Sequence, residues 1–597
     1  MRLSPLARQV LLGWLVAAAA LTAVVARDLP LLLFTDPDDA MRLNEVRDWL
    51  GGQGWFDVDQ HRLWGGAFRM HWSRLVDLPL AGTIAVARPL LGDAAATRVA
   101  LVLVPLLTLL AVMALVAFLT RRLAEGAAAR AAILLVPLSV PVVYQMRPLR
   151  IDHHGWQIAL ALAAVAAWLG AVRPSWRNGA VAGAALAALL TISLEGLPVS
   201  VAIAALAVLA AAWPGRETDP ALARARIDQA RGLLAALLGG LVVLHAATRG
   251  PLALQPACDA IAPGWIAAIA VAALGGIAAL SLARPVARLG GLALAGAAAV
   301  LTLRGLAPGC LAGPFAMLDP LVRDLWYRNV SEGMPVWEQD RAWAAMMLAG
   351  PVVGLIGGGM AARAAAGEAR RRWMLLTLLV AAALALSILV MRAGSTANAL
   401  ALPGVAVALT AARARARRVA SLLPRLFATI AAMLLFSPGL VLLTAFSAAE
   451  GPPAPPPPTP GKPLAACSRN RDLKALSRIP PATLFASLDT TPAILAWTRH
   501  RAIASGYHRN TAAIHRVIAG FIAPPARAEA LIRASHADYV IVCPGDGEMD
   551  IYRKISPDGL WGRLARGERF GWLAPVPTGS AALVWRVIPL QREAVRH

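Results

Sequence analysis

Charge is scarce in this chain. Only 15% of its 597 residues are Asp, Glu, Lys or Arg, too few to clothe a soluble protein of this size. Lysine is nearly missing: Lys462, Lys474 and Lys554 all fall in the last quarter. The four cysteines are too few for a disulfide-built scaffold and show no Cys-pair spacing of a zinc site. No Walker A loop, G-x-G-x-x-G fingerprint or G-x-S-x-G elbow is present. P-loop, dinucleotide-binding and nucleophile-elbow hydrolase chemistries are excluded on that ground.

What the chain has instead is apolar length. Hydrophobic residues make up 58% and the mean hydropathy is +0.61, which predicts an α-helical polytopic membrane protein. About 13 spans of roughly 17–25 residues can be placed. They lie near 9–30, 97–119, 127–146, 155–172, 178–194, 197–213, 232–247, 263–282, 287–303, 342–361, 373–391, 397–411 and 420–446. The net charge of +23 does not indicate nucleic acid. The basic residues are nearly all Arg, in short clusters between apolar runs: Arg121-Arg122, Arg173 to Arg177, Arg224 to Arg231, Arg370 to Arg372 and Arg413 to Arg418. That is the pattern of cytoplasmic loops. Arg2 and Arg8 before the first run place the N-terminus inside. That run has no small-residue cleavage motif and reads as a retained helix.

Counting spans from that end puts every Arg cluster in the cytoplasm and the other polar groups outside. The expected membrane domain covers residues 1–447, with long external loops over 31–96 and 304–341. The first loop is rich in Trp (Trp49, Trp55, Trp64, Trp72), and its stretch Leu75 to Leu91 is amphipathic, as an interfacial segment would be. A Pro-rich spacer over 448–462 is stiff and extended. Beyond it, residues 463–597 read as a small periplasmic α/β domain. There Thr483–Ser487 and Arg501–Ser505 read as strands flanking a helix over Thr490–Thr498, and Tyr539–Cys543 as a further buried strand. All four cysteines fall outside, where disulfides are permitted. Cys467 and Cys543 share that compact segment, and Cys258 with Cys310 would tie two external loops.

Two polar clusters stand out on the same external side. Thr35-Asp36-Pro37-Asp38-Asp39 follows the first span, and Arg150-Ile151-Asp152-His153-His154 follows the third. A helix N-cap would explain one carboxylate of the first cluster, and a solvated turn could carry the second. Three carboxylates in four residues repel one another unless a cation compensates. Asp and His two residues apart can reach one ion. Together they predict a divalent-metal site, Mg2+ or Mn2+, at Asp36, Asp152 and His154, for a phosphate-bearing substrate. Glu195, in Ser193-Leu-Glu-Gly196, is a further acid near a bilayer boundary. Arg392, at the outer end of a span, either snorkels or clamps phosphate oxygens. His71, Trp72 and Arg74 combine ring faces and a cation suited to a sugar, although an interfacial Trp belt has the same composition. Tyr507-His508-Arg509-Asn510 reads as a polar surface loop.

These residues together resemble the catalytic subunit of oligosaccharyltransferase and its single-chain bacterial and archaeal relatives, in the GT-C glycosyltransferase class. That family's first loop carries Asp-Pro followed by Asn-Tyr-Arg, and Asp36-Pro37 and Arg42 match at the Asp-Pro and the Arg. Its second motif, Asp-His-His in archaeal members, matches Asp152-His153-His154. Its Ser-Val-Ser-Glu motif, with a Pro and a Trp soon after, is similar to Asn329-Val330-Ser331-Glu332 followed by Pro335 and Trp337. Arg392 stands where the family binds the lipid pyrophosphate.

The resemblance covers roughly residues 1–447. It implies a membrane glycosyltransferase in a bacterial inner membrane, with a polyprenyl-phosphate-linked sugar donor and a glycan, lipid or protein acceptor, inverting by direct displacement. It implies Glu332 beside the ion, and Asp36, Asp38 or Asp39 positioning or deprotonating the acceptor. Arg42, His71, Trp72, Arg74, His153, Trp337 and Arg392 would contact substrate. One family element is missing: residues 463–597 have four isolated tryptophans and no Trp-Trp-Asp motif. That points to a hydroxyl-bearing envelope acceptor rather than a protein Asn. A non-enzymatic carrier or flippase for the lipid-linked glycan would need polar residues within its spans. These spans are mostly Ala, Leu, Val and Gly.

Overall fold

The computed structural model describes residues 4–66, 68–124, 126–213, 219–450, 467 and 469–589. Two compact units emerge. One comprises Met1–Val25, Trp72–Ala316 and Ser331–Pro453, the other Ala26–His71, Met317–Val330 and Ala454–His597. The Pro-rich spacer lies, from residue 451 on, outside the described residues.

The first unit is helical. Among the described residues, eight helices are long and apolar enough to cross a membrane, two bent pairs count as one span each, and three shorter apolar helices complete the set. These correspond one to one with the thirteen expected spans. The protein is thus a polytopic helical membrane protein with an additional α/β unit.

Three departures are local. The spans expected over 127–146 and 420–446 are broken. Gly126–Leu138 and Val140–Met146 meet at 61°, Leu422–Leu434 and Pro438–Ala445 at 98°. Prolines 141 and 438 open the second halves and cannot donate across the break. The freed Leu138 carbonyl takes a hydrogen bond from Ser437 Oγ at 2.7 Å, so one break completes the other. The third departure is Asp77–Leu123, a run of 47 residues divided at Gly92, whose φ of 74° separates the amphipathic stretch from the span.

Backbones approach closely where side chains vanish. A Cβ on Gly179 would lie 1.8 Å from the Gln229 carbonyl oxygen, and one on Gly183 would lie 2.1 Å from that of Leu233. Small-residue faces let membrane helices pack in this way without a hydrophobic driving force. At one end of the bundle Glu368 binds Arg226 (2.6 Å) and Arg372 (3.1 Å), and Arg372 also reaches the Val172 carbonyl (3.3 Å). Three of the Arg clusters assigned to one side by parity therefore converge. Cys258 and Cys310 form a disulfide with Cα atoms 4.8 Å apart.

In the second unit, β1 (Asp59–Gln60) and β2 (Phe68–Arg69) form a small antiparallel pair. A five-stranded sheet of order β4-β3-β5-β7-β6 is built from β3 (Thr483–Ala486), β4 (Arg501–Ala502), β5 (Tyr539–Val542), β6 (Leu573–Pro575) and β7 (Leu583–Val587). The helix Thr491–Trp497 joins the parallel pair β3 and β4, as expected. The antiparallel β6 and β7 were not anticipated. The segment after the first span belongs to this unit. Arg47 and Arg62 donate to the Ala496 and Leu495 carbonyls (2.8 Å each), capping the C-terminal end of the Thr491–Trp497 helix. Cys467 and Cys543 are bridged, Cα atoms 5.2 Å apart.

Glu548 is half-buried against the turn that follows β3. It accepts from the Leu488 and Asp489 amides (3.0 Å each) and the Tyr552 hydroxyl (2.6 Å). Burial, reinforced by the Asp489 and Asp546 carboxylates, pushes its carboxyl up to about 8. A raised carboxyl holds its proton more tightly in the folded chain. Its contribution to stability is complete below pH 4.5 and lost as pH rises to about 8. The unfolding transition of the full-length chain, followed by proteolysis within the C-terminal segment, should fall in stability between about pH 5 and 8 at up to about 1.4 kcal/mol per pH unit. Glu548→Gln should flatten that slope, and an unchanged slope in the variant would contradict the assignment.

Candidate functional site

The Asp-His-His cluster is placed by a forced turn. Leu149 adopts a left-handed φ of 73°, a conformation that is strained for a residue with a Cβ. Its amide bonds the Leu101 carbonyl (2.9 Å). The chain then enters the helix His154–Leu169, with His153 as N-cap. Gly155 allows the approach, since a Cβ there would meet the Gln145 carbonyl oxygen at 2.9 Å. The helix N-terminus favours negative charge beside it.

Asp152, His153 and His154 are all buried, at 5%, 5% and 6% exposure, rather than forming an exposed external turn. The two rings stack with centroids 4.4 Å apart. Asp152 bonds both: Oδ1 takes His153 Nδ1 at 2.5 Å and Oδ2 takes His154 Nδ1 at 2.6 Å. Burial raises the Asp152 carboxyl, but the charge and hydrogen bonds of the two imidazoles prevail and hold it well below the usual carboxylate range.

Glu195 extends the cluster. It lies in the Leu194–Gly196 turn between helices Trp176–Ile192 and Leu197–Ala212. Its Oε2 is 3.3 Å from His153 Nε2 and 3.9 Å from His154 Nε2. Its Oε1 is paired with Arg392, which also donates to Glu332 at 2.7 Å. Arg392 is held in the Met391–Ala393 turn, and the Met391 amide bonds the Met334 carbonyl (3.1 Å), fastening the Glu332 loop to the arginine.

One unit therefore joins Asp152, His153, His154, Glu195, Arg392 and Glu332 in a continuous polar chain. Three carboxylates, two imidazoles and one guanidinium thus meet in one chain of contacts. His154 Nε2 is buried with no hydrogen-bond partner. Carboxylate oxygens beside an orphaned imidazole nitrogen are a donor set that fits a divalent cation. The Asp152, His153 and His154 donor atoms lie close enough together to share one.

Asp36, Asp38, Asp39, Arg42 and His71 belong to the second unit. Asp36 caps the helix Pro37–Leu50 by accepting from the Asp38 amide (3.0 Å), so the N-cap explanation holds for that carboxylate. Asp39 and Arg42 are buried. The His71 ring meets that of His508 at a tilt of 58°, centroids 4.9 Å apart. Trp72 and Arg74 are buried in the first unit, where Arg74 pairs with Asp77 at 3.3 Å. Trp337 is exposed. Glu195 is the residue whose role the sequence left open. Its signal was there: the parity that puts Asp152 outside puts Glu195 on the same side.

No protein-family model matches the chain, and no curated protein matches its sequence. Solved structures do match. The archaeal oligosaccharyltransferase AglB of Archaeoglobus fulgidus, in complex with an inhibitory peptide and a dolichol-phosphate, aligns with a TM-score of 0.60 over 98% of this chain and 75% of its own. The fold is that of an oligosaccharyltransferase. The same archaeal enzyme tethered to an acceptor peptide containing an NVT sequon gives the same TM-score and coverage, and its complex with zinc and sulfate gives 0.53 over 97% and 74%. Identities are 14–15% throughout, so the likeness is one of fold.

Proposed function

We propose that this chain is a membrane glycosyltransferase of GT-C type. It moves a sugar or oligosaccharide from a polyprenyl-phosphate or polyprenyl-pyrophosphate donor to an envelope acceptor on the periplasmic face of a bacterial inner membrane. The observation that carries this reading is Arg392, held between Glu195 and Glu332 and linked through Glu195 to the buried Asp152–His153–His154 cluster. Its planar fork matches phosphate oxygens. Donor binding exchanges its carboxylate partners for the leaving phosphate. A divalent cation, Mg2+ or Mn2+, held at this cluster with Asp36 as a further expected ligand, would supply charge neutralisation of that phosphate. A carboxylate of the Asp36, Asp38, Asp39 group positions or deprotonates the acceptor, which attacks from the face opposite the phosphate with inversion. The lipid-linked donor is in keeping with the dolichol-phosphate bound by the archaeal enzyme, and the cation with that enzyme's zinc complex.

On the acceptor side, Trp561 and Trp572 are buried, and Trp561 donates to the Met549 carbonyl (2.9 Å). Trp585 stands in β7 opposite Val540 and Pro575. These rings serve the sheet and its cover, which supports an acceptor other than the Asn-x-Ser/Thr sequon. Discrimination of a sequon needs buried groups matched to its hydroxyl. Purified protein given lipid-linked donor should glycosylate an envelope lipid or glycan extract and leave a sequon peptide unmodified. Efficient transfer to the peptide's Asn would reverse the acceptor assignment.

A further inference from the structure

We propose that the protein binds the phosphate headgroup of an anionic phospholipid at the end of the membrane unit opposite the Asp152 cluster. The helix His154–Leu169 carries that cluster at its first turn and ends about 24 Å away, at 1.5 Å per residue. Around this far end it meets the helices Leu197–Ala212, Pro220–Arg249 and Gly367–Leu389 at a cleft. Among the described residues that line the cleft, the three guanidiniums of Arg226, Arg371 and Arg372 stand against one carboxylate, that of Glu368.

The arginines are held as a set. Glu368 takes Arg226 on one oxygen (2.6 Å) and Arg372 on the other (3.1 Å). Arg372 also donates to the Val172 carbonyl at 3.3 Å, and Arg371 donates to that of Ala210 in the last turn of its helix. These contacts fasten helix ends together, but a fastening alone needs no surplus of charge. Moreover, Arg370, Arg371 and Arg372 fall in the first two turns of Gly367–Leu389, where a helix favours anions and disfavours cations. The bias of basic residues to one face of a membrane explains their side. It does not explain their convergence on one cleft. A phosphate seated there offsets the surplus and the helix end together, and guanidinium forks match its oxygens.

The level of the cleft points to a lipid headgroup rather than a free anion. Trp176 opens one helix here and Trp213 caps another, and they are 53% and 52% exposed. Tryptophans at helix ends stand at the headgroup layer. Arg173 and Arg370, next in sequence to lining residues, are exposed as well. Basic clefts between spans are suited to acidic headgroups. The enclosed part of the cleft is about 30 Å3, room for one water. The phosphate therefore seats at the mouth, and the acyl chains stay in the bilayer.

The test uses the full-length protein in detergent, with phosphatidylglycerol, phosphatidylcholine or inorganic phosphate added. Phosphatidylglycerol should raise the thermal midpoint, and the other two should not. Arg371→Gln with Arg372→Gln should weaken phosphatidylglycerol binding about 10- to 30-fold by native mass spectrometry, the loss expected for two basic groups at a lipid surface. Arg415→Gln with Arg417→Gln removes the same charge from exposed arginines outside the cleft and should change binding less than about 2-fold. A phosphatidylglycerol with a photoreactive headgroup locates the site in wild type without any variant having to fold, and should label peptides containing Trp176 or Arg371. Equal stabilisation by phosphatidylcholine or by inorganic phosphate overturns the proposal. So does label confined to the end that bears Arg392, or an equal loss in the two double variants.

Discussion

Glycosyl transfer by His154→Gln and by Asp152→Asn is expected to fall about 100- to 1,000-fold, the range lost when a preorganised electrostatic group is removed from a transition state. Polar replacements are the right probes because both side chains are buried. Alanine at 152 would strand two buried imidazole N–H groups and mix folding with chemistry. The variants should elute as monodisperse particles, and chelation of the wild type should reproduce their loss. Turnover in either variant within a few-fold of wild type, measured with purified lipid-linked donor, would contradict a role for the cluster in the chemistry.

The second large effect is structural. Gly404→Val should prevent assembly of the membrane unit. A Cβ at Gly404 would lie 2.1 Å from the Gly354 carbonyl oxygen, and one at Gly357 would lie 1.9 Å from that of Gly404. Both obstacles are backbone, so no side-chain rotation relieves them. The helices Arg341–Ala364 and Gly394–Arg417 would have to part. The second of these follows directly on Arg392. A cost above about 4 kcal/mol is expected, read as loss of monodisperse protein in detergent. Gly359→Ala, on the partner helix Arg341–Ala364, is the control, because a Cβ there meets nothing within 4 Å. Normal yield and thermal midpoint for Gly404→Val would show that the two helices are not in this contact.

How much of this the sequence disclosed follows from the range of each interaction. Apolar runs are local, and each became a helix. Hydropathy could not show that Pro220–Arg249 begins well before its apolar portion, because its first turns carry Arg224, Arg226 and Arg231 on an amphipathic helix. The breaks at Ser139 and Ser437 were marked by proline, but the hydrogen bond that ties them spans 299 positions. Parity placed Asp152, Glu195, Glu332 and Arg392 on one side, which is as far as a single chain carries. The pairing of Arg392 with Glu195 across 197 positions is set by packing and has no local signature. The attachment of Pro37–Leu50 to the C-terminal α/β unit is of the same kind. The Asp152 cluster is legible from residue type and spacing together with its side of the membrane. Its burial was not, because a Leu149 turn and a glycine at 155 are what draw it inward.

The central claim is that this chain breaks a sugar–phosphate bond with the help of a divalent cation instead of carrying an intact glycan lipid. The direct measurement reconstitutes purified protein in vesicles with a polyprenyl-pyrophosphate glycan labelled in both sugar and lipid, plus envelope extract as acceptor. The account predicts that sugar label leaves the lipid, that free polyprenyl pyrophosphate accumulates in step, and that both stop in EDTA and resume with Mn2+. Movement of the intact, doubly labelled donor across the bilayer with no cleavage, unaffected by EDTA, would contradict it.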